Sequence, residues 1–260
     1  MNSSSCPVTD KNIWITGASS GIGRELALRL ARAGNQVIAS ARKESALRQL
    51  QQQAPGRIIP LVCDVGDDRQ MHSIAEELAN ITDTLDAVII NAGVCEYVDN
   101  LKLDTGLFRR VFAVNVFGAV NTLAAAIPLL RRAQKRGHIV GVGSLSTVVG
   151  LPRAEAYGAS KAALQYLLES LRVDAAAEKM DVTVVRPGFV HTSMTRDNDF
   201  PMPFVMSTGQ AAEIILRGVA KRQRVIEFPK RLCWSLKLAA LCSGIWYRIL
   251  APKLSRVGKL

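Results

Sequence analysis

Short apolar runs separated by helix-patterned stretches recur through this chain, and no other feature constrains its fold as much. Residues 85–90 end in Ala-Val-Ile-Ile, with no polar residue alternating among the four. A strand patterned this way is buried on both faces, as in parallel sheets covered by helices. Similar runs predict strands over Asn12–Thr16, Gln36–Ala41, Ile58–Val62, 137–144, 182–186 and Val225–Phe228. Between them lie helical stretches. The first ends near Arg32, with Leu26, Leu30 and Ala33 at helical spacing and Gly34 as its C-cap. Others are expected over 67–80 and 103–132, and a further helix carries Tyr157 to about residue 179. The reading is an α/β fold, a doubly wound parallel sheet of about seven strands with helices on both faces. At 260 residues and 48% apolar, the chain can bury the core of one such domain, assigned to 1–228, with a tail over 229–260.

The first strand runs into Gly17-Ala18-Ser19-Ser20-Gly21-Ile22-Gly23. Glycines at a strand-to-helix turn let the backbone approach a pyrophosphate, and helix N-terminal amides bind its charge. Such a turn makes the sheet Rossmann-like, although the spacing is G-x-x-x-G-x-G and a tight packing turn would use glycines in the same way. The second strand ends at Ser40-Ala41-Arg42-Lys43. An acid here would bond the ribose 2′-hydroxyl of NAD, whereas Arg42 and Lys43 suit the 2′-phosphate of NADP. NADP(H) is favoured over NAD(H) by this charge rule, and a solvated basic loop is the plainer alternative.

Tyr157 and Lys161 stand four apart, so on a helix both side chains leave the same face. A phenol with a pKa near ~10 is a poor acid at neutral pH. An ammonium one turn away favours the phenolate and brings that pKa towards the working range. Ser144, at the end of a preceding strand, would hold a substrate oxygen against the Tyr157 proton. An exposed helix pair has the same spacing, and the surrounding motifs decide between the two.

Composition closes off several other classes. The five cysteines, Cys6, Cys63, Cys95, Cys233 and Cys242, are scattered, odd in number and without a CxxC pair, which predicts reduced thiols in a cytoplasmic setting. Residues 1–12 hold no basic segment followed by an apolar core, so no secretory signal is expected. His72, His138 and His191 are far apart and read as surface or loop histidines, and no metal is assigned. Asp83 and Asp86 read as turn residues at a strand start. The net charge of +11 falls to +4 once the seven bases of residues 229–260 are set aside, and that stretch holds no acid. An anionic partner should therefore meet the tail. The aromatic residues are few and not interleaved with the bases, so no nucleic-acid platform is indicated.

Taken together, these residues resemble the short-chain dehydrogenase/reductase (SDR) family. The resemblance runs through residues 16–23, Asp64, Asn91-Ala92-Gly93, Asn115, Ser144, Tyr157-Gly158-Ala159-Ser160-Lys161 and Pro187-Gly188-Phe189-Val190-His191-Thr192, in family order over about residues 10–228. It implies hydride transfer between nicotinamide and a carbonyl carbon, with Tyr157 as general acid in reduction and base in oxidation. Lys161 would lower the Tyr157 pKa and hold the nicotinamide ribose, Ser144 would orient the substrate oxygen, and Asn115 would support a water linking Lys161 to solvent. Gly17, Ser19, Ser20, Gly21, Ile22 and Gly23 would line the pyrophosphate turn. Asp64 and Val65 would meet the adenine, Asn91, with Ala92 and Gly93 after it, the adenosine-ribose side, and Val190 and Thr192 the carboxamide beside Pro187 and Gly188. Family habit implies a homodimer or homotetramer.

Between Thr192 and Gln210 the loop that covers substrate in this family carries Met194, Phe200, Met202, Phe204 and Met206. Adaptable apolar residues here suggest a lipophilic aldehyde, ketone or steroid- or retinoid-like substrate, although a hydrophobic lid over any substrate fits too. Reduction of carrier- or coenzyme-linked ketoacyl groups, or NADP(H) sensing with little turnover, are the alternatives. Beyond the seventh strand, winding at ~100° per residue sets Lys230, Lys237 and Arg248 opposite Leu232, Leu236, Ala239, Trp246 and Leu250. A basic amphipathic helix of this kind suits peripheral contact with an anionic membrane, and a helix docked on its own domain is the rival. The uncharged run 238–247 is far short of the ~20 residues a spanning helix needs.

Overall fold

The computed structural model describes residues 6–196 and 198–255. Residues 1–5 of the N-terminal stretch, and Arg256 and Lys259 of the basic tail, lie outside the described residues. In β1 (Asn12–Thr16), Ile13 and Ile15 point into one core and Trp14 into the other. That alternation is the period-2 consequence of an extended chain, and it shows the strand buried on both faces. The first core takes Leu26 and Leu30 of α1 (Gly21–Arg32), then Val37 and Ala39 of β2 (Gln36–Ala41), then Leu47 and Leu50 of α2 (Glu44–Gln52). The second takes Leu61 of β3 (Ile58–Val62) and Met71, Ile74 and Leu78 of α3 (Asp68–Ile81). Trp14 Nε1 donates to Ser40 Oγ at 2.7 Å, which satisfies the polar edge of its buried ring.

After β4 (Ala87–Ile90), the expected helix over 103–132 forms as α4 (Thr105–Phe112), a π turn (Ala113–Phe117) and α5 (Gly118–Leu130). By length and apolar composition 105–130 would span a bilayer, but α5 packs against α3 in the second core. β5 (Gly137–Val142) is followed by α6 (Glu155–Ala177), β6 (Met180–Pro187), the short α7 (Ser193–Arg196), α8 (Thr208–Ala220) and β7 (Val225–Phe228). All seven strands are parallel, in the order β3-β2-β1-β4-β5-β6-β7. The order reverses between β1 and β4. A crevice opens there, at the carboxyl ends of the strands, and it is where α/β sheets bind ligands.

Three expectations need correction. The C-cap of α1 is Ala33, and Gly34 lies one residue beyond it at φ +92°, the left-handed position that favours glycine. His138 is not a surface or loop residue. It is buried in β5 with Nε2 2.8 Å from Thr183 Oγ1, and burial pushes its pKa down to about 4, so the imidazole is neutral there.

The tail, thirdly, is the helical extension expected, but in several pieces rather than one run. It is α9 (Lys230–Leu241), α10 (Ser243–Ile245), a second π turn (Trp246–Leu250) and α11 (Ala251–Leu254). Leu232, Leu236 and Trp246 of the expected apolar side are buried against Leu145 and Val149, forming a third core with Cys233 and Ala251. Ala239 is partly buried there and Leu250 is exposed. Most of the face expected to meet a membrane is thus docked on the domain.

Candidate active site

Backbone crowding explains the glycine turn. Gly17 has φ +66°, and a Cβ on it would lie 2.7 Å from Ala92 Cα. A Cβ on Gly23 would lie 2.4 Å from Asn91 Nδ2 and 2.5 Å from the Gly17 carbonyl oxygen. Asn91 brings the two strand ends together. Its backbone N–H donates to Thr16 Oγ1 (3.1 Å), and its side-chain amide donates to the carbonyls of Thr16 (3.0 Å) and Gly17 (3.1 Å). Gly21, at φ +55°, faces Thr192 Cγ2 at 3.1 Å from an added Cβ, so the segment after β6 lies over the turn.

A cleft of about 480 Å³ runs from this turn across the switch point. Gly17, Ser19, Ser20, Gly21 and Ile22 form one wall. Arg42, Asp64 and Val65 stand at one end, with the Arg42 guanidinium 4.0 Å from the Asp64 carboxylate. Asn91, Ala92 and Gly93, after β4, and Pro187, Gly188, Val190 and Thr192, at and after the end of β6, also line it. Ser144, Tyr157 and Lys161 close the other end. Of the expected residues, Gly23 and Asn115 stand behind the wall instead of lining it. Gly23 does so because the turn packs against Asn91, and Asn115 because the π turn buries it.

Around Tyr157 the geometry is tight. Ser144 caps a 3-10 turn at Leu145–Thr147, its Oγ accepting from the Ser146 N–H at 3.1 Å. Lys161 is buried, and its ammonium donates to the Val142 carbonyl at 2.9 Å. Asn115 Oδ1 accepts from the Val94 N–H (2.8 Å), while Nδ2 donates to the Val94 carbonyl and to Ser160 Oγ (2.9 Å each). Asn115 therefore clamps the segment after β4 onto α6. A Cβ on Gly93 would lie 3.2 Å from both Asn115 Oδ1 and Lys161 Nζ, so only glycine leaves both undisturbed.

Burial sets the electrostatics here. It pushes the Tyr157 phenol up to about 12, against a hydrogen bond with Ser144 that pulls the other way. It pushes Lys161 down to about 8, with a nearby Cys95 acting against it. The expectation that the ammonium brings the phenol towards neutrality is not met by the protein's own residues, because desolvation of both groups is the larger effect.

Several lining residues escaped the sequence reading: Val94 and Cys95 after the Asn-Ala-Gly motif, Val142 and Gly143 before Ser144, and Ser193 and Thr195 after Thr192. Each continues a recognised motif by one to three residues, which was the available signal. The Cys95 thiol pKa is raised by burial. Next to it, the Tyr97 hydroxyl donates to Asn198 Oδ1 at 2.8 Å, and the Tyr97 ring meets Phe200 edge-on with centroids 5.6 Å apart. Phe189 extends this wall, 6.1 Å from Phe200. Arg153 ties it down, donating to Asp99 (2.6 Å) and Asp199 (2.9 Å) with its guanidinium 5.0 Å from the Tyr97 ring centroid. Of the five apolar loop residues, Met194 lines the cleft, Phe200 joins the aromatic wall and Met206 packs on the first core. Met202 accepts from Asn198, and Phe204 is exposed.

The family model described as short chain dehydrogenase matches residues 11–200, most of the chain and every residue lining this cleft. The chain belongs to the short-chain dehydrogenase family. An uncharacterized oxidoreductase of Myxococcus xanthus is 39% identical over 228 residues, covering 86% of this short-chain dehydrogenase and 90% of that protein. Among solved structures, a short-chain dehydrogenase/reductase from Burkholderia phymatum in complex with NAD matches at TM-score 0.82 and 21% identity, over 91% of this chain and 95% of that one. A short-chain dehydrogenase from Burkholderia cenocepacia in complex with NADP matches at 0.81 and 24%, over 94% and 99%. At these identities both speak to the fold. The left-handed glycines, the space a Cβ would fill and the cation beyond β2 fit a nicotinamide dinucleotide laid across the switch point, and an oxidoreductase acting on alcohol or carbonyl groups follows from the family.

Proposed function

We propose that this short-chain dehydrogenase is NADP(H)-dependent and interconverts a lipophilic carbonyl compound, an aldehyde, ketone or steroid- or retinoid-like molecule, with its alcohol. The observation that carries the reading is the convergence of Ser144, Tyr157 and Lys161 at the end of a cleft whose other end carries Arg42. A bound nicotinamide supplies or accepts the hydride. Tyr157 gives its proton to the carbonyl oxygen in reduction and takes it back in oxidation, while Ser144 holds that oxygen in reach. With a pKa of about 8, Lys161 is still mainly charged at neutral pH, so a cation stands one turn from the phenol as negative charge develops on it. Asn115 keeps Val94 and α6 in register behind both.

Arg42 supports the NADP(H) preference, because an exposed guanidinium at the end of β2 meets a 2′-phosphate as a charge-assisted pair. Met194 and the Phe189–Phe200 pair favour an apolar substrate. On this reading the enzyme works in the cytoplasm as a homodimer or homotetramer, with peripheral contact between its basic tail and a membrane.

The test is NADPH oxidation against a panel of apolar aldehydes and ketones, with NADH and a Tyr157→Phe variant alongside. Turnover with NADPH should fall by about 10²- to 10⁴-fold in the variant, the usual range for losing a general acid, with NADPH affinity unchanged. Binding of neither nucleotide, or full activity in Tyr157→Phe, would sink the assignment.

A further inference from the structure

Docking consumes the apolar side of the tail that the sequence pattern picks out, yet a second apolar side remains. Trp234, Leu238, Leu241, Ile245, Ile249 and Leu254 are 52% to 83% exposed, all within one segment of the chain. Folded monomers rarely leave so many large apolar side chains together in water. Lys230, Arg231, Arg248 and Lys253 are exposed among them and residues 229–255 contain no acid, while Lys237 pairs with Glu227 of β7 at 2.6 Å and lies 5.9 Å from the Trp234 ring centroid.

The position of this face relative to the cleft is fixed by hydrogen bonds. Trp246 Nε1 donates to the Gly150 carbonyl (3.1 Å), and the Gly150 N–H donates to Tyr247 Oη (3.0 Å). A hollow of about 300 Å³ separates Tyr247, Ala251 and Pro252 from residues 98–101 and 150–155. Leu101 on its rim is 69% exposed, as is the neighbouring Leu103. Arg153, in the same rim, reaches Asp199 of the substrate loop. The tail that carries the exposed face, the hollow and the substrate loop therefore follow one another across this side of the domain.

We propose that the outer face of α9–α11 is a docking surface for an anionic lipid bilayer, and that it sets the substrate loop against the membrane so that lipophilic substrate enters from the lipid. This rests on the lipophilic-substrate reading above and names the route such a substrate takes. Charge complementarity selects the occupant. Exposed bases interspersed with Trp and Leu match an interface of anionic headgroups over acyl chains. Two copies of the chain meeting through this face would oppose like charges.

The experiment is co-sedimentation of the full chain with phosphatidylcholine vesicles containing about one-third phosphatidylserine, and with pure phosphatidylcholine vesicles. Wild type should bind the anionic vesicles and release them at high salt. Trp234→Ser, Leu238→Ser and Leu241→Ser together should lower the partition coefficient on the order of tenfold per residue, at ~25 cal/mol per Å² of apolar surface withdrawn from water. Because these side chains are exposed, NADPH affinity and turnover of a short water-soluble aldehyde should not change. A second variant, Lys230→Gln with Arg231→Gln, should lose ~10- to 100-fold on anionic vesicles alone. Undiminished vesicle binding by the triple variant overturns the proposal. So does a wild type that ignores the anionic vesicles, and a mass by light scattering that then drops in the triple variant would make the face a contact between copies. Vesicle binding by wild type without turnover of any carbonyl would leave the surface standing and remove the functional reading instead.

Discussion

Lys161→Met should make the protein more stable at neutral pH while abolishing its chemistry. Lys161 is 4% exposed, and burial lowers its pKa from 10.5 to about 8. Each tenfold change in the proton equilibrium is about 1.36 kcal/mol, so holding the ammonium in the folded state costs ~3 kcal/mol wherever both states are protonated. Because the folded pKa lies below the unfolded one, that cost is fully present below pH 8 and fades as pH rises towards 10.5. The Met variant loses the bond to the Val142 carbonyl, worth about 1 kcal/mol, leaving a net gain of ~2 kcal/mol at pH 7. For a chain of this size that is about 4 °C in Tm. Thermal unfolding of both proteins by circular dichroism, in steps from pH 7 to about 10.5, measures it. The difference between the two curves should shrink through this window and reverse slightly at its top. Tyr157, raised to about 12, loses stability for both proteins only above pH 10, so it cancels in the difference. A variant less stable than wild type at pH 7, or a difference that does not change with pH, would refute the claim that desolvation dominates this lysine.

Two substitutions test other parts of the chain. Arg42→Ala should raise the Kd for NADPH by about 10- to 100-fold, the loss of one charge-assisted contact, and leave NADH within about twofold; equal losses for both, read by fluorescence titration, would remove the 2′-phosphate role. Trp246→Ala should cost ~3–5 kcal/mol and lower Tm by about 6 °C or more, since it empties the third core and strips the Gly150 carbonyl of its donor. An unchanged Tm would mean that the tail is only loosely docked.

The strands were legible because burial on both faces writes itself as unbroken apolar residues, and β1, β2, β3 and β7 fall where the pattern puts them. The cleft was legible because its motifs sit at strand ends, which a parallel sheet gathers on one edge. The short helix α2 shows only Leu47 and Leu50 to the core, too few to give a helical pattern, and no element is expected there. For α8 the signal was present in the capping box of Ser207 and Gln210 but was read as part of the substrate loop. The tail misled because hydrophobic periodicity marks a face that leaves water without saying what it packs against. Leu232 and Leu236 give the same pattern on a membrane as on Leu145. The electrostatics of Tyr157 and Lys161 were out of reach, since spacing reveals the pair but not its depth.

The π turn between α4 and α5 alters what this chain can tolerate. One added residue in a helix rotates everything beyond it by about 100°, since the α-helix turns once in ~3.6 residues. That phase change lets α4 pack on α6 while α5, in the same run, packs on α3. Deleting a single residue from 113–117 would therefore do more than shorten a helix: it would spin Leu123 and Leu129 out of the second core and swing Asn115 away from Val94. Within these five positions the length of the chain is fixed as strictly as the one side chain, Asn115, that bonds Val94 and Ser160.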